Sequence, residues 1–477
     1  MLFNSWTFVA FFAALMALYL PLGRWKGHQA QNRLLLVASY VFYAGWDWRF
    51  CLLLAAISVV DWACGNAIAR NASQRRRQLF LGLSVVFDIG VLIYFKYCNF
   101  FIQGAADLVG LLGEPVSWPL LNIILPVGIS FIVFKSLSYT IDVYRGEIRP
   151  ERHLLDYALF VAFFPDLVAG PIIRARTVLA QLHAPRRITE TMVVEGFWLI
   201  LFGYFLKVVV ADNLAPIANS AFATSQPESW LHVLLGIYAF AFQILGDFAG
   251  YSGIAIGVAR LMGFVLPPNF GHPYRQTNPQ AFWRHWHISL STWLRDYVYI
   301  SFGGSRGGNW KTSRNLLATM VLGGLWHGAA WTFLLWGFYH GLLLILHRAM
   351  APVAARLHLP LLSGLGHVLA VLFMFHLTCF GWLLFRAESL AQVGGFLRAL
   401  ALGTSADMAA GLTPSMVSLA MLGGATLLAD HALRAPDGTL RPLNLPGPAR
   451  WACAACLALA IPVFGDFGLS HFIYFQF

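Results

Sequence analysis

Charge is scarce in this chain. Asp, Glu, Lys and Arg make up 11% of its 477 residues, against about 25% in a soluble globular domain. A soluble protein of this length would need far more polar surface to cover its core, so a water-soluble fold is excluded. Hydrophobic residues reach 58% and mean hydropathy is +0.66. A lipid-facing exterior accounts for both, because it lets apolar side chains point outward. Acidic residues are fewer than basic ones, leaving a net charge of +11. The basic residues sit in short loops between apolar stretches and form no basic polar domain, which argues against a nucleic-acid partner.

Cysteine is also sparse: six residues, all in or beside apolar stretches. Cys453 and Cys456 form a CxxC within Trp-Ala-Cys-Ala-Ala-Cys-Leu, whereas a redox pair needs a polar, exposed helix start. Two small residues on one face of a membrane helix fit better, so neither a disulfide framework nor a metal site is expected. Leu2–Leu22 lacks the basic lead-in and small-residue cleavage site of a signal peptide, and is expected to be a retained first helix. No HExxH occurs. Gly303–Gly308 is glycine-rich but lacks the Lys-Ser/Thr of a phosphate loop.

What is present is a series of apolar segments near membrane-spanning length: Leu2–Leu22, Leu34–Ala44, Phe50–Ala69, Leu79–Tyr97, Leu120–Ile141, Leu154–Val168, Met192–Val210, Leu231–Met262, Leu316–Leu346, Val368–Phe385, Met416–Leu428 and Cys453–Val463. The short ones read as re-entrant or tilted, the two longest as broken pairs. The fold class is all-α, a polytopic membrane protein with residues 1–477 as a single domain. Basic and non-basic loops alternate: Arg24, Lys26 and Arg33; then Asp47 and Arg49, nearly neutral; then Arg70 and Arg75–Arg77; then none near Asp107; then Arg145, Arg149 and Arg152. By the positive-inside rule the basic loops are cytoplasmic, which places the N-terminus outside. Leu154–Val168 has basic loops on both flanks, so it is expected to enter and leave on the cytoplasmic side.

Ionisable residues inside apolar runs are costly, so each is a site candidate. His327 lies in Leu-Gly-Gly-Leu-Trp-His-Gly-Ala-Ala-Trp (322–331), between glycines that permit close backbone approach or a helix break. It has the character of a general base or of a neutral histidine bonded between helices. Arg314 and Arg348 flank Leu316–Leu346, so a turn near His327-Gly328 would make that segment a hairpin. Trp283–Tyr297 is too polar to span and too aromatic for a solvated loop. It carries His287 and the substrate-binding candidates Arg284, Trp286, Trp293, Arg295 and Asp296, and reads as a helix at the cytoplasmic interface. Its arginines suit lipid phosphates or a phosphate-bearing donor. If His287 shares a site with His327, the two should lie within about 15 Å, half the hydrocarbon thickness. Trp326 and Asp247 complete the candidates. Asp247, in Leu-Gly-Asp-Phe-Ala-Gly-Tyr (245–251), has the chemistry to fix a histidine tautomer or to join helices.

These stretches resemble the membrane-bound O-acyltransferase family, in the branch that acetylates exported polysaccharides. The matching residues are Trp283–Asp296, Gly324–Trp331 with Trp336-Gly337 and His340-Gly341, Asp247–Gly253, Pro126–Phe131, Pro165–Pro171, Arg33–Tyr43 and Phe472–Phe477. One departure is Ala249-Gly250-Tyr251-Ser252-Gly253, where similar proteins often read Ser-Gly-Tyr-Ser-Asp. The resemblance implies roughly eleven membrane helices with re-entrant and interfacial ones around a tunnel. His327 would be the family's histidine near the middle and His287 its second. It further implies acetyl transfer from acetyl-CoA to an exopolysaccharide such as alginate or cellulose, with no bound cofactor. A periplasmic SGNH-type partner, an exopolysaccharide synthesis complex and a bacterial inner-membrane location follow from the same resemblance. His327 would deprotonate a hydroxyl or carry the acetyl group, and the Trp and Gly residues around it would favour a short acyl chain. A transporter or a non-catalytic export scaffold is the alternative; no inverted repeat supports the former.

Overall fold

Apolar runs become helices because lipid offers no partner for a backbone amide. The computed structural model describes all residues except 111, 114–116, 169, 357–363, 405–411, 436–438, 440–444, 469–472 and 474–477. The helices begin with α1 (Trp6–Trp25), α2 (Gly27–Ala44), α3 (Arg49–Arg70), α4 (Gln74–Leu92) and α5 (Cys98–Gly110). Next come α6 (Ile129–Arg145), α7 (Leu154–Ala162), α8 (Phe164–Leu167), α9 (Ala175–Leu182) and α10 (Glu190–Tyr204). After them run α11 (Asp212–Phe222), α12 (Trp230–Leu261), α13 (Pro279–His285), α14 (Ile288–Trp293) and α15 (Gly308–His327). The last are α16 (Trp331–Arg356), α17 (Leu365–Arg386), α18 (Leu390–Leu402), α19 (Leu412–Leu433) and α20 (Gly447–Phe464). π-helical turns at Ile93–Tyr97 and Phe205–Ala211 fuse α4 to α5 and α10 to α11, and a third at Leu294–Tyr299 extends α14. Among the described residues nine helices are long and apolar enough to cross a membrane. Their outward faces carry Leu18, Val86, Phe373 and Met421, each more than 60% exposed, the pattern of a lipid-facing surface. This is an all-α polytopic membrane protein.

The chain forms two compact units, Met1–Gly196 with Val258–Pro267 and Phe197–Gly257 with Pro268–Phe477. In the first, α6 starts only at Ile129, after Pro126 and a left-handed Gly128 (φ 72°); residues 117–128 lack helix. The expected segment Leu120–Ile141 is therefore helical only in its second half. Leu154–Val168 breaks at Phe163 into α7 and α8. Nine residues of helix span about 14 Å, half the bilayer core, so this segment does not cross. Lys135 on α6 meets Asp166 on α8 at 2.8 Å, both almost fully buried, and Ser39 on α2 accepts a bond from the Phe164 N–H at 3.2 Å.

The two long segments behave differently. Leu316–Leu346 breaks between His327 and Trp331 into a hairpin. Leu231–Met262 does not break: α12 is one helix of 32 residues, against the expectation of a pair. Its glycines serve packing. A β-carbon at Gly250 would lie 2.7 Å from the Gly203 carbonyl oxygen, and one at Gly246 would lie 2.8 Å from that of Leu206. Small residues there let backbones approach without interrupting either helix.

Candidate active site

The polar stretch after residue 268 is built around one turn. Asn278 caps α13, accepting from the Ala281 N–H at 2.8 Å, with Pro279 at the first helical position. The helix stops at His285, whose Nδ1 donates to the Ala281 carbonyl at 2.8 Å. His287 then takes a left-handed conformation (φ 42°, ψ 57°), and among the described residues it is the only non-glycine with positive φ. Such a backbone costs about 1–3 kcal/mol and persists where surroundings enforce it.

Asn269 does the enforcing. Its Oδ1 accepts from the Ser289 N–H at 3.2 Å, the Ser289 hydroxyl at 2.9 Å and His287 Nδ1 at 3.2 Å. Its backbone carbonyl accepts from the Ile288 N–H at 2.9 Å, and its Nδ2 donates to the Ser252 hydroxyl at 3.1 Å. The proton of His287 is thereby held on Nδ1, leaving Nε2 as the basic nitrogen. Complete burial pushes its pKa down to about 3, so the ring is neutral at physiological pH. Phe248 packs edge-on against it, centroids 4.6 Å apart.

His327 ends α15, and extended Gly328 (φ −166°, ψ 156°) breaks the helix there. The imidazole is boxed by Trp326, Trp336 and Phe385, with centroids at 4.8, 4.9 and 5.1 Å. The Trp326 ring also lies 5.9 Å from His287. One indole thus separates the two histidines, and the two ring distances bound their separation well inside the expected limit.

A cavity of about 590 Å³ reaches His327. One wall is Gln280, Trp283, Arg284, Ile288, Leu290 and Leu294; the other is Leu316, Thr319, Met320, Gly323 and Trp336. Arg295, His347 and Arg348 also line it, so with Arg284 it contains three guanidinium groups. The candidates divide accordingly. Arg284, Arg295 and His327 line the cavity. Trp286 lies outside the lining, stacked among Phe282, Tyr274 and Trp382. Trp293 packs on Tyr297, and Asp296 pairs with Arg295 at 2.6 Å. Asp247 faces Lys207 at 2.8 Å, with Asp212 on the same ammonium at 2.8 Å, and its Oδ2 accepts from the Ile473 N–H at 2.6 Å. The remainder of Phe472–Phe477 lies outside the described residues. Sequence reasoning missed Asn269, Lys207 and His347, and named Trp283, Trp336 and Arg348 without assigning them to the site. Lys207 alone had a plain signal, a lysine in an apolar run.

Residues 147–386 match the membrane-bound O-acyltransferase family. The chain is 44% identical to a protein named probable alginate O-acetylase AlgI from Azotobacter vinelandii, over 82% of this chain and 76% of that one. It is 43% identical to the protein of that name from Pseudomonas aeruginosa, over 82% and 73%. It is 32% identical to a peptidoglycan O-acetyltransferase of Helicobacter pylori, over 75% and 71%. With a histidine at the break of a membrane hairpin and a cavity leading to it, the chain belongs to the membrane-bound O-acyltransferase family and is an O-acyltransferase.

Proposed function

We propose that the protein moves an acetyl group from acetyl-CoA on the cytoplasmic side across the membrane, through an acceptor hydroxyl, for O-acetylation of an exopolysaccharide such as alginate or cellulose. The observation that carries this is the cavity, which joins the buried His327 to Arg284, Arg295 and Arg348. Guanidinium groups suit the phosphates of coenzyme A, and a dry aromatic box protects a thioester from water. The polysaccharide class comes from the relatives' names.

His327 takes the proton of the attacking hydroxyl. The C–O bond forms as the C–S bond breaks, and the proton passes to the departing thiolate. His287 acts as a positioning residue through Trp326. The setting is the bacterial inner membrane with the N-terminus in the periplasm, where an SGNH-type partner completes delivery to the polymer.

The test is acetyl content of the exported polymer in cells carrying His327→Ala, with protein abundance checked by blot. Loss of acetylation at normal abundance is expected. Normal acetylation at normal abundance refutes the assignment.

A further inference from the structure

The glycines of the α15–α16 hairpin do two different jobs. Three of them face backbone. A β-carbon on Gly324 would lie 3.1 Å from Gly337 Cα, one on Gly337 would lie 2.9 Å from Val321 Cα, and one on Gly341 would lie 3.2 Å from Leu317 Cα. Each is required for the two helices to touch. Gly323 is unlike them. The one atom a β-carbon there would meet is Leu294 Cδ1, at 3.0 Å, the tip of a flexible side chain. Helix packing does not demand a glycine at this position.

Space in the cavity does. Gly323, Leu294 and His327 all line it. Gly323 precedes His327 by one helical turn on the same face, about 6 Å along the axis. The other large groups near His327 are fixed: Trp336 is 1% exposed and wedged against Trp283, His340 and Phe385. Leu294 opens the π-helical turn that also carries Arg295, and it offers an aliphatic surface to whatever passes Gly323.

We infer that Gly323 and Leu294 together gauge the length of the acyl chain presented to His327. The missing side chain at 323 admits a two-carbon acyl group beside the histidine. The leucine occupies the space a third and fourth carbon would need. This rests on the proposed acetyl transfer and specifies its substrate range.

The experiment uses the full-length protein in native membranes that retain the exopolysaccharide system. Acetyl-, propionyl- and butyryl-CoA serve as donors, and acceptor-dependent release of coenzyme A thiol is the readout. One methylene in an apolar pocket discriminates by about 10–200-fold. Leu294→Ala should raise the propionyl-to-acetyl and butyryl-to-acetyl ratios of kcat/KM by at least about 10-fold, and Leu294→Val should raise the propionyl ratio alone. Gly323→Ala should depress acetyl transfer, and Gly323→Ala with Leu294→Ala should restore it, because the deleted leucine makes room for the added methyl. Unchanged chain-length ratios in both Leu294 variants while acetyl turnover persists overturn the gauge, as does a Gly323→Ala defect that the double variant fails to relieve. Absence of turnover by the unmodified protein with any of the three donors instead overturns the proposed acetyl transfer.

Discussion

Replacing Asn269 by alanine should unseat His287 and can be costed from its bonds. The substitution strands the Ser289 N–H, the Ser289 hydroxyl and His287 Nδ1–H, all of which converge on Asn269 Oδ1. A buried donor left without an acceptor costs about 1–3 kcal/mol. The hydroxyl can rotate to another acceptor and lies 3.4 Å from His287 Nδ1, so the Ser289 N–H alone sets a loss of about 1–3 kcal/mol. The left-handed backbone at His287 then loses its side-chain clamp and keeps the main-chain bond from the Ile288 N–H to the carbonyl of residue 269. Asn269→Asp is the informative partner. It keeps the acceptor oxygen but adds a charge beside the imidazole, drawing a proton onto a ring that is otherwise neutral. Thermal unfolding in detergent, read with acyl transfer, separates the effects. Asn269→Ala should lower both stability and turnover. Asn269→Asp should fold more stably than Asn269→Ala and transfer poorly near neutral pH, recovering as pH rises. If Asn269→Ala shifts stability by less than about 0.5 kcal/mol and leaves turnover intact, Asn269 does not organise the site.

Lys207→Met should leave Asp212 and Asp247 buried without their cation, costing about 3–5 kcal/mol; a collapse of the monodisperse peak in size-exclusion chromatography checks it, with Asp212→Asn and Asp247→Asn in the same chain expected to rescue. Gly337→Leu should prevent the hairpin from closing, since its side chain would collide with the Met320 carbonyl and Val321, and the same chromatography reads the loss. Arg348→Ala should raise the donor concentration needed for half-maximal transfer while leaving the maximal rate near normal. Because the His287 pKa is about 3 in the folded chain and about 6.5 unfolded, the unfolded state binds the extra proton. Its contribution to stability is therefore constant above about pH 6.5 and falls by up to about 1.4 kcal/mol per unit as pH drops toward 3. Denaturant midpoints in that window measure this slope, and His287→Gln should flatten it.

Much of this was legible in the sequence. The break at His327-Gly328 follows from an apolar run too long for one crossing, with a histidine between glycines and basic residues at both ends. The break at Phe163 divides the segment flanked by basic loops into helices of nine and four residues, each too short to cross. Length misled for α12, because glycines that permit a helix break also permit close packing, and composition alone does not choose between them. Asn269 was invisible: a lone amide in a loop has no periodicity, and its partners His287 and Ser289 come close only when the chain folds back. Asp247 was legible as an unusual acid in an apolar run. Its engagement by Lys207 was not, because a pairing across helices leaves no local pattern.

The hairpin also bears on how the protein is made. α16 qualifies by hydropathy as a membrane segment, whereas α15, with Lys311, Arg314 and Asn315 in its first half, does not. A nascent helix is released into lipid according to its own apolar content, so α15 would not partition alone. It must be held at the insertion machinery until α16 emerges, and the pair enters together once the seam at Gly324, Gly337 and Gly341 can close. His327 therefore reaches its depth only in the company of the following helix. Truncating the chain between the two should leave α15 outside the bilayer, a result that glycosylation mapping of stalled chains would read directly.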